Sequence, residues 1–206
     1  MDALIFDVDG TLWDVTPVAA AAWNDTLSTY TELPPTVDTH LLKQLFGKPM
    51  DEIAAVIFKG LPAKRREELG LLTCEKENEL LRTTHRVSLY PGAADALKLL
   101  AKKCPLFVVS NCQAGYIEVM IETNQLEDII TGHLCYGDTH LPKDQTIRLL
   151  MDRYHLKDVL YVGDTEGDET ACRKAGIPFA YVTYGYGTAK NPAYRLDSLK
   201  DLLPLV

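Results

Sequence analysis

The sequence predicts an α/β protein with a Rossmann-like parallel sheet and an inserted α-helical cap. Short apolar runs alternate with helical patterns in residues 1–14 and again in residues 89–206, which is typical of parallel strands covered by helices. Residues 15–88 interrupt this alternation, because they contain helical patterns and no convincing strand. We therefore expect residues 1–14 and 89–206 to form the core and residues 15–88 the cap. The alternative is that the helical residues decorate a single α/β domain.

The predicted core strands are short apolar runs. The first, at 3–7, ends in an acidic and glycine-containing turn, as a buried strand does at its carboxyl end. The run at 129–136 is the weakest because Gly132 interrupts it. The remaining runs lie at 106–110, 159–163 and 179–182.

Helical patterns fill the intervals between these runs. In the cap, Thr16 is the predicted N-cap of a first helix that has Pro17 in its first turn. Proline and glycine clusters near residues 34, 48 and 61 separate the cap helices that follow. Those helices are predicted at 38–46, 50–58, 64–69 and 75–86, and the core helices at 93–103, 115–124, 146–154 and 170–175.

Composition excludes several classes of function. The 206 residues carry a net charge of −8, so we expect neither nucleic acid nor an anionic membrane surface as a partner. No apolar stretch reaches the roughly 18 residues that a membrane span needs, and the first residues lack the pattern of a cleaved leader, which predicts a cytoplasmic protein. The five cysteines and five histidines lack disulfide-framework or zinc-site spacing.

The first strand ends in Asp7-Val-Asp9-Gly10-Thr11. Alternate residues of an extended strand point to the same side, so the Asp7 and Asp9 carboxylates share one crevice at the edge of the sheet. Two like charges repel each other there unless a divalent cation neutralises them or one carboxyl keeps its proton. By itself such a pair is also common in solvated turns.

Three further elements fall at comparable positions. Ser110 and Asn111 precede a helix, where a hydroxyl and free backbone N–H groups can bind an anion, although both residue types also cap helices. Lys143 begins a helix, an end that disfavours cations unless an anion is near. Asp164 and Asp168 follow the strand that ends at 163 and provide oxygen ligands suited to Mg²⁺.

In this order, the four elements resemble the haloacid dehalogenase-like (HAD) superfamily of phosphatases and phosphotransferases. The motifs D-x-D-G-T at Asp7 and G-D-T-x-x-D at 163–168 carry most of the resemblance, and Ser110 and Lys143 match by position. The Tyr-Pro-Gly turn at 90–92 and the segment from 175 to 187 are similar to the phosphoglycolate phosphatase-like branch, which has a helical cap. The resemblance implies a sheet with strand order 5-4-1-2-3.

The resemblance also implies the chemical roles. Asp7 attacks phosphorus and forms an aspartyl-phosphate, while Asp9 protonates the leaving group and later activates water. Asp7, Asp164 and the Asp9 carbonyl hold Mg²⁺. The phosphoryl oxygens are bound by residues of the first three motifs, and Asp168 supports the metal or orients the lysine. The phosphate-binding residues implied are Gly10, Thr11, Ser110, Asn111 and Lys143.

Some assignments stay open. Asp144 stands where the family often has proline, so Lys174 or the pair at 102–103 are alternatives to Lys143. Asp9 argues against dehalogenase chemistry, because the dehalogenase branch lacks an acid there. A phosphomutase similar to β-phosphoglucomutase is the main rival to a phosphatase, and Lys48 is its candidate cationic cap residue.

The substrate expected is a small phosphorylated metabolite, which the sequence does not identify further. Its leaving group would be recognised by the cap. The candidate residues there are Thr16, Trp23, Gly47, Lys48 and Met50.

Overall fold

The structure is a computed structural model that describes residues 1–84 and 89–206. At its centre lies one sheet whose neighbouring strands are all parallel. The strands are β1 (Ala3–Phe6), β2 (Leu106–Ser110), β3 (Ile130–Cys135), β4 (Val159–Gly163), β5 (Phe179–Val182) and β6 (Tyr194–Leu196). Their order is β3-β2-β1-β4-β5-β6, so the five predicted strands take the implied order and β6 extends it by one.

The described helices divide between two stretches of the chain. Four of them follow β1 directly: α1 (Thr16–Tyr30), α2 (Thr39–Leu45), α3 (Met50–Ile57) and α4 (Ala63–Thr84). The others alternate with the remaining strands: α5 (Ala93–Leu100), α6 (Tyr116–Thr123), α7 (Tyr136–Thr139), α8 (Lys143–Arg153) and α9 (Glu166–Ala175). A 3-10 helix, Leu199–Leu202, lies near the end of the chain.

The structure corrects the prediction of two helices at 64–69 and 75–86, because α4 is one continuous helix. Gly70, which falls between the two predicted helices, lies inside α4, where a Cβ atom would stand 3.2 Å from the Ala54 side chain. The glycine thus permits close packing of α4 on α3 and does not end the helix. Residues 85 and 86 of the prediction lie outside the described residues.

Two further differences concern short elements and one helix start. Both α7 and β6 were missed: α7 has four residues, and β6 has three, of which two are exposed. Thr16 is the first residue of α1 and not its N-cap, which is Val15. The Thr16 hydroxyl instead donates to Asp14 Oδ1 at 2.6 Å. The Thr16 N–H donates to the same oxygen at 3.0 Å.

Alternating apolar residues bury both faces of the sheet. One face packs against α8 and α9, where the Tyr161 side chain of β4 is fully buried. The other packs against α5 and α6, and its apolar cluster continues without a gap into α1–α4 through Trp13 and Trp23. The four helices after β1 therefore cover the sheet's carboxyl edge by apolar packing.

The chain passes between the sheet and α1–α4 at two neighbouring places. Trp13 forms an isolated antiparallel bridge with Leu89, and the Tyr90 N–H donates to the Leu12 carbonyl at 2.8 Å. No strand occurs within residues 15–84, and none of the described helices has the combination of length and apolar character required to cross a membrane.

Candidate active site

Three aspartates meet at the carboxyl edge of the sheet. Asp7 follows β1 and Asp164 follows β4, and these two strands are neighbours, while Asp168 lies in the first turn of α9. One carboxylate oxygen from each aspartate lies within 4.8 Å of the other two. All three side chains are buried. This spacing is that of groups able to share one divalent cation.

Lys143 lies against this cluster. Its Nζ atom is 2.6 Å from Asp168 Oδ1 and 3.1 Å from Asp7 Oδ1. Burial opposes the charge of Lys143, but Asp168 and Asp7 outweigh it and raise its pKa. The alternative lysines, Lys174 and the pair at 102–103, are exposed. The structure therefore places Lys143 at the site and the others away from it.

The cluster carries more negative charge than its lysine compensates. Burial raises the pKa of Asp7 to about 6, Lys143 limits the rise, and Asp168 adds to it. Burial likewise raises the pKa of Asp164 well above its ordinary value, with contributions from Asp168 and Asp7. Three carboxylates beside one ammonium leave two negative charges uncompensated, which matches the charge of one Mg²⁺ ion.

A second observation fits a cation. Asp7 Oδ1 is buried, and the Lys143 ammonium lies 3.1 Å from it as an ion pair without forming a hydrogen bond to it in the described structure. Buried oxygens without a partner are rare in folded proteins because they lose their hydration without replacement. The Asp7 carboxylate therefore has a free ligand position in the centre of the cluster.

Asp164 is fixed in place by backbone and hydroxyl donors. Its Oδ1 accepts from the Thr11 hydroxyl at 3.3 Å, and its Oδ2 accepts from the Tyr186 N–H at 2.7 Å. A Cβ atom on Gly10, whose φ is +76°, would lie 2.3 Å from Asp164 Oδ2, and one on Gly185 would lie 2.2 Å from Asp164 Cβ. Thr11 and Gly10, predicted to bind phosphate, contact Asp164 in this structure.

Asp168 has both oxygens engaged. Oδ1 accepts from Lys143, and Oδ2 accepts from the Thr165 hydroxyl at 2.6 Å and the Thr165 N–H at 3.0 Å. The Thr165 hydroxyl in turn accepts from the Asp168 N–H, which completes a capping box at the start of α9. Asp168 thus holds Lys143 in place and couples it to the helix.

Asp9 occupies a different environment from Asp7, although they are two residues apart. Its Oδ1 accepts from the Tyr116 hydroxyl at 2.6 Å and from the Trp13 indole N–H at 3.1 Å. Burial raises the pKa of Asp9 well above its ordinary value, and these two donors limit the rise. Tyr116 and Trp13 were not predicted at the site, because nothing in their local pattern distinguishes them from other buried aromatic residues.

A narrow cavity separates the sheet edge from the helices after β1. It is lined by Asp9 and Ser110 on the sheet side, and by Gly47, Lys48 and Met50 on the helical side, among others. Its free volume is about 20 Å³, which is room for roughly one water molecule. We call this arrangement, with little free space between the sheet edge and the helices, the closed form.

Contacts across the cavity hold this closed form together. The Asn111 side-chain amide donates to the Gly47 carbonyl at 2.7 Å. Lys43 of α2 pairs with Asp14 at 2.8 Å, and the Tyr186 hydroxyl donates to Asp14 at 2.9 Å. Asn111 is thus placed at the site as predicted, but it contacts the helical segment. Asp14 joins that segment to the loop that holds Asp164.

Two of the predicted cap residues do not line the cavity. Thr16 is buried beside Asp14, and Trp23 packs on Phe58 with ring centroids 5.5 Å apart. A residue that was not predicted lines it instead: Glu77 of α4, which is 2% exposed. The sequence around Glu77 does not distinguish it, because it lies in a helix rich in acidic and basic residues.

Comparison with known proteins agrees with this arrangement. A family model described as haloacid dehalogenase-like hydrolase matches residues 4–182. The chain belongs to this family. Membership makes it a hydrolase with the α/β fold seen here, and it confirms the resemblance that the four motifs carry.

Individual relatives cover almost the whole chain. A phosphoglycolate phosphatase from Chromobacterium violaceum is 30% identical over 99% of this chain and 96% of its own length. Phosphoglycolate phosphatase 1 from Pseudomonas aeruginosa is 27% identical over 98% of this chain and 78% of its own. The crystal structure of a predicted phosphoglycolate phosphatase from Haemophilus somnus superposes with a TM-score of 0.86, at 23% identity over 100% and 97% of the two chains.

Proposed function

We propose that this protein is a Mg²⁺-dependent phosphatase that hydrolyses a small phosphate monoester through a phosphorylated Asp7. The observation that carries the proposal is the position of Asp7 at the end of β1, where it is buried between Lys143 and Asp164 and its Oδ1 atom pairs with Lys143 Nζ at 3.1 Å. The phosphatase names of the relatives agree with it.

The reaction divides into two displacements. In the first, a carboxylate oxygen of Asp7 bonds to phosphorus as the ester P–O bond breaks, and the leaving alkoxide takes a proton from Asp9. In the second, Asp9 takes a proton from a water molecule whose oxygen attacks the phosphorus. The aspartyl P–O bond breaks, inorganic phosphate leaves, and both carboxyl groups return to their starting states.

The Asp9 environment suits both proton transfers. Burial favours the protonated carboxyl that the first step needs. The Tyr116 and Trp13 donors to Oδ1 stabilise the carboxylate left after the proton is given up. Because both donors contact the same oxygen, Oδ2 is left to face the leaving group and then the water.

Mg²⁺ would be held by Asp7, Asp164 and the Asp9 carbonyl, with Asp168 behind them. When bound, it supplies Lewis-acid neutralisation of the charge on the phosphoryl oxygens. Lys143, fixed by Asp168, provides a second positive charge on these oxygens. The Ser110 hydroxyl and the Asn111 amide at the start of the loop after β2 complete the phosphate site.

The closed cavity requires that the protein opens to bind substrate. A phosphate ester is several times larger than the space for one water molecule, so α1–α4 must move away from the sheet edge. We propose that residues 15–88 form the cap domain and residues 1–14 and 89–206 the core. Closure then excludes bulk water while Asp7 attacks the phosphorus and becomes phosphorylated. The Asn111 contact to Gly47 links phosphate binding to closure.

A direct test measures inorganic phosphate released from a panel of small phosphate esters. We expect release with Mg²⁺ and none in excess chelator. We expect none from Asp7→Asn, since an amide does not form the aspartyl-phosphate. Asp144→Asn, which removes one charge from the nearby start of α8, is the matched control and keeps full activity. Activity in chelator or in Asp7→Asn would overturn the proposal.

The mutase alternative depends on Lys48, the cationic side chain of the cavity lining. A mutase must hold a second phosphate group opposite Asp7, and Lys48 is exposed while the buried end of the lining carries Glu77. A carboxylate there repels a second phosphate. The lining therefore favours hydrolysis, and phosphorus NMR distinguishes the two, because a mutase converts one sugar phosphate into an isomer without net phosphate release.

A further inference from the structure

Glu77 lies on the α4 side of the cavity, and no residue of 1–84 or 89–206 forms an ion pair with it. It is 2% exposed, and its Oε2 atom is fully buried without a hydrogen bond. Burial raises the pKa of Glu77 to about 7, and hydrogen bonding from the neutral donors Trp23 and Gln113 limits the rise.

Helix α4 fixes this side chain relative to the catalytic residues. The next residue, Asn78, accepts from the Gln113 side-chain amide at 3.3 Å and donates to the Ala114 carbonyl at 3.4 Å. Both partners belong to the loop that follows Ser110. The charge of Glu77 also acts on Asp9 and Tyr116. Glu77 therefore faces the side of the site where the leaving group departs.

A buried carboxyl without a partner is costly unless a ligand supplies one. We propose that Glu77 accepts hydrogen bonds from the leaving group and selects phosphate esters whose alcohol carries a hydroxyl or ammonium donor over those that carry a carboxylate. This inference rests on the proposed phosphatase function and specifies its substrate class. It also separates the chain from the phosphoglycolate named in its relatives, because glycolate brings a carboxylate against Glu77.

The experiment compares three two-carbon esters that differ in one group: 2-hydroxyethyl phosphate, 2-aminoethyl phosphate and 2-phosphoglycolate. The full chain is assayed with Mg²⁺ at pH 8, where Glu77 is ionised. We expect kcat/KM for the hydroxyl or the ammonium ester to exceed that for phosphoglycolate at least tenfold. The preferred member of this pair shows whether the donor is a neutral hydroxyl or a cation.

Glu77→Gln then removes the charge and keeps the shape. We expect it to reduce the preference for 2-aminoethyl phosphate over phosphoglycolate at least tenfold. The preference for 2-hydroxyethyl phosphate over phosphoglycolate should fall less, because the amide oxygen of glutamine still accepts a hydrogen bond from the hydroxyl. Glu75→Gln changes the same charge on the exposed side of α4 and leaves both preferences unchanged.

The possible failures are distinguishable. Wild-type preference for phosphoglycolate, or an equal shift in both Gln variants, overturns the role of Glu77 while hydrolysis itself stands. Absence of hydrolysis of every ester, including p-nitrophenyl phosphate, overturns the proposed function and this inference together. The wild-type ranking decides the question alone if Glu77→Gln does not fold.

Discussion

The buried carboxyl of Glu77 predicts a pH dependence of the free energy of unfolding, which can be measured independently of activity. Its folded-state pKa is about 7, against an ordinary value of 4.5, because burial disfavours the charged form. The folded state therefore binds the proton more tightly than the unfolded state. The stability that this provides is present below about pH 4.5 and is lost as the pH rises to about 7.

Replacing Glu77 with Gln removes this loss of stability at high pH, because the amide does not ionise. A difference of about 2.5 pKa units corresponds to about 3 kcal/mol of unfolding free energy at pH 8, and to about 1 kcal/mol at pH 5. Any packing cost of the amide is the same at both values. We therefore expect the variant to gain about 2 kcal/mol relative to wild type between pH 5 and pH 8, measured by urea denaturation in chelator.

The comparison between pH values is what makes this test decisive. Titration of Asp7 and Asp164 affects wild type and variant equally, so it cancels from the difference. The charge of Glu77 also raises the pKa of Asp9, so its removal favours the folded variant at high pH and adds to the gain in the same direction. Glu75→Gln, on the exposed side of the same helix, should show no pH-dependent gain. A variant whose stability relative to wild type is unchanged between pH 5 and pH 8 would refute the buried, unpaired state of Glu77.

The other predictions concern the sheet edge. Asp164→Asn removes one charged oxygen donor and should raise the Mg²⁺ concentration for half-maximal activity at least tenfold; unchanged calorimetric Mg²⁺ affinity would contradict its place in the metal site. Asp9→Asn should slow alkyl esters about a hundredfold more than p-nitrophenyl phosphate, whose leaving group needs no proton; equal losses would make Asp9 structural. Tyr116→Phe deletes one donor to Asp9, so alkyl ester hydrolysis should fall about tenfold, and an unaltered pH–rate profile would count against this coupling.

The sequence predicted the residues of the site more completely than it predicted the helices of residues 15–88. Asp7 and Asp164 are each at the end of a strand, and parallel strands bring their carboxyl ends to one edge whatever the loops do. Glu77 has no such landmark, because its burial depends on where α4 packs. The continuity of α4 also depends on packing, since Gly70 has low helix propensity but allows close contact with Ala54 of α3.

Short and exposed elements were missed for a different reason. The strand β6 has three residues, and its place in the sheet comes from pairing with β5. Its own pattern is too short to show alternation. The Tyr116 contact to Asp9 also depends on long-range packing, because the two residues lie 107 positions apart in the chain.

The bridge between Trp13 and Leu89 has a consequence for how such a chain tolerates change. The chain leaves the core and returns to it at paired positions, so the insertion closes a loop whose ends the core already holds together. Lengthening such a loop costs little, since closure entropy grows only with the logarithm of its length. Helices of different number or sequence could therefore be exchanged at this junction while the pairing of β1 with β2 is kept. The helices after β1 can thus change in sequence while the residues at the carboxyl edge of the sheet stay the same.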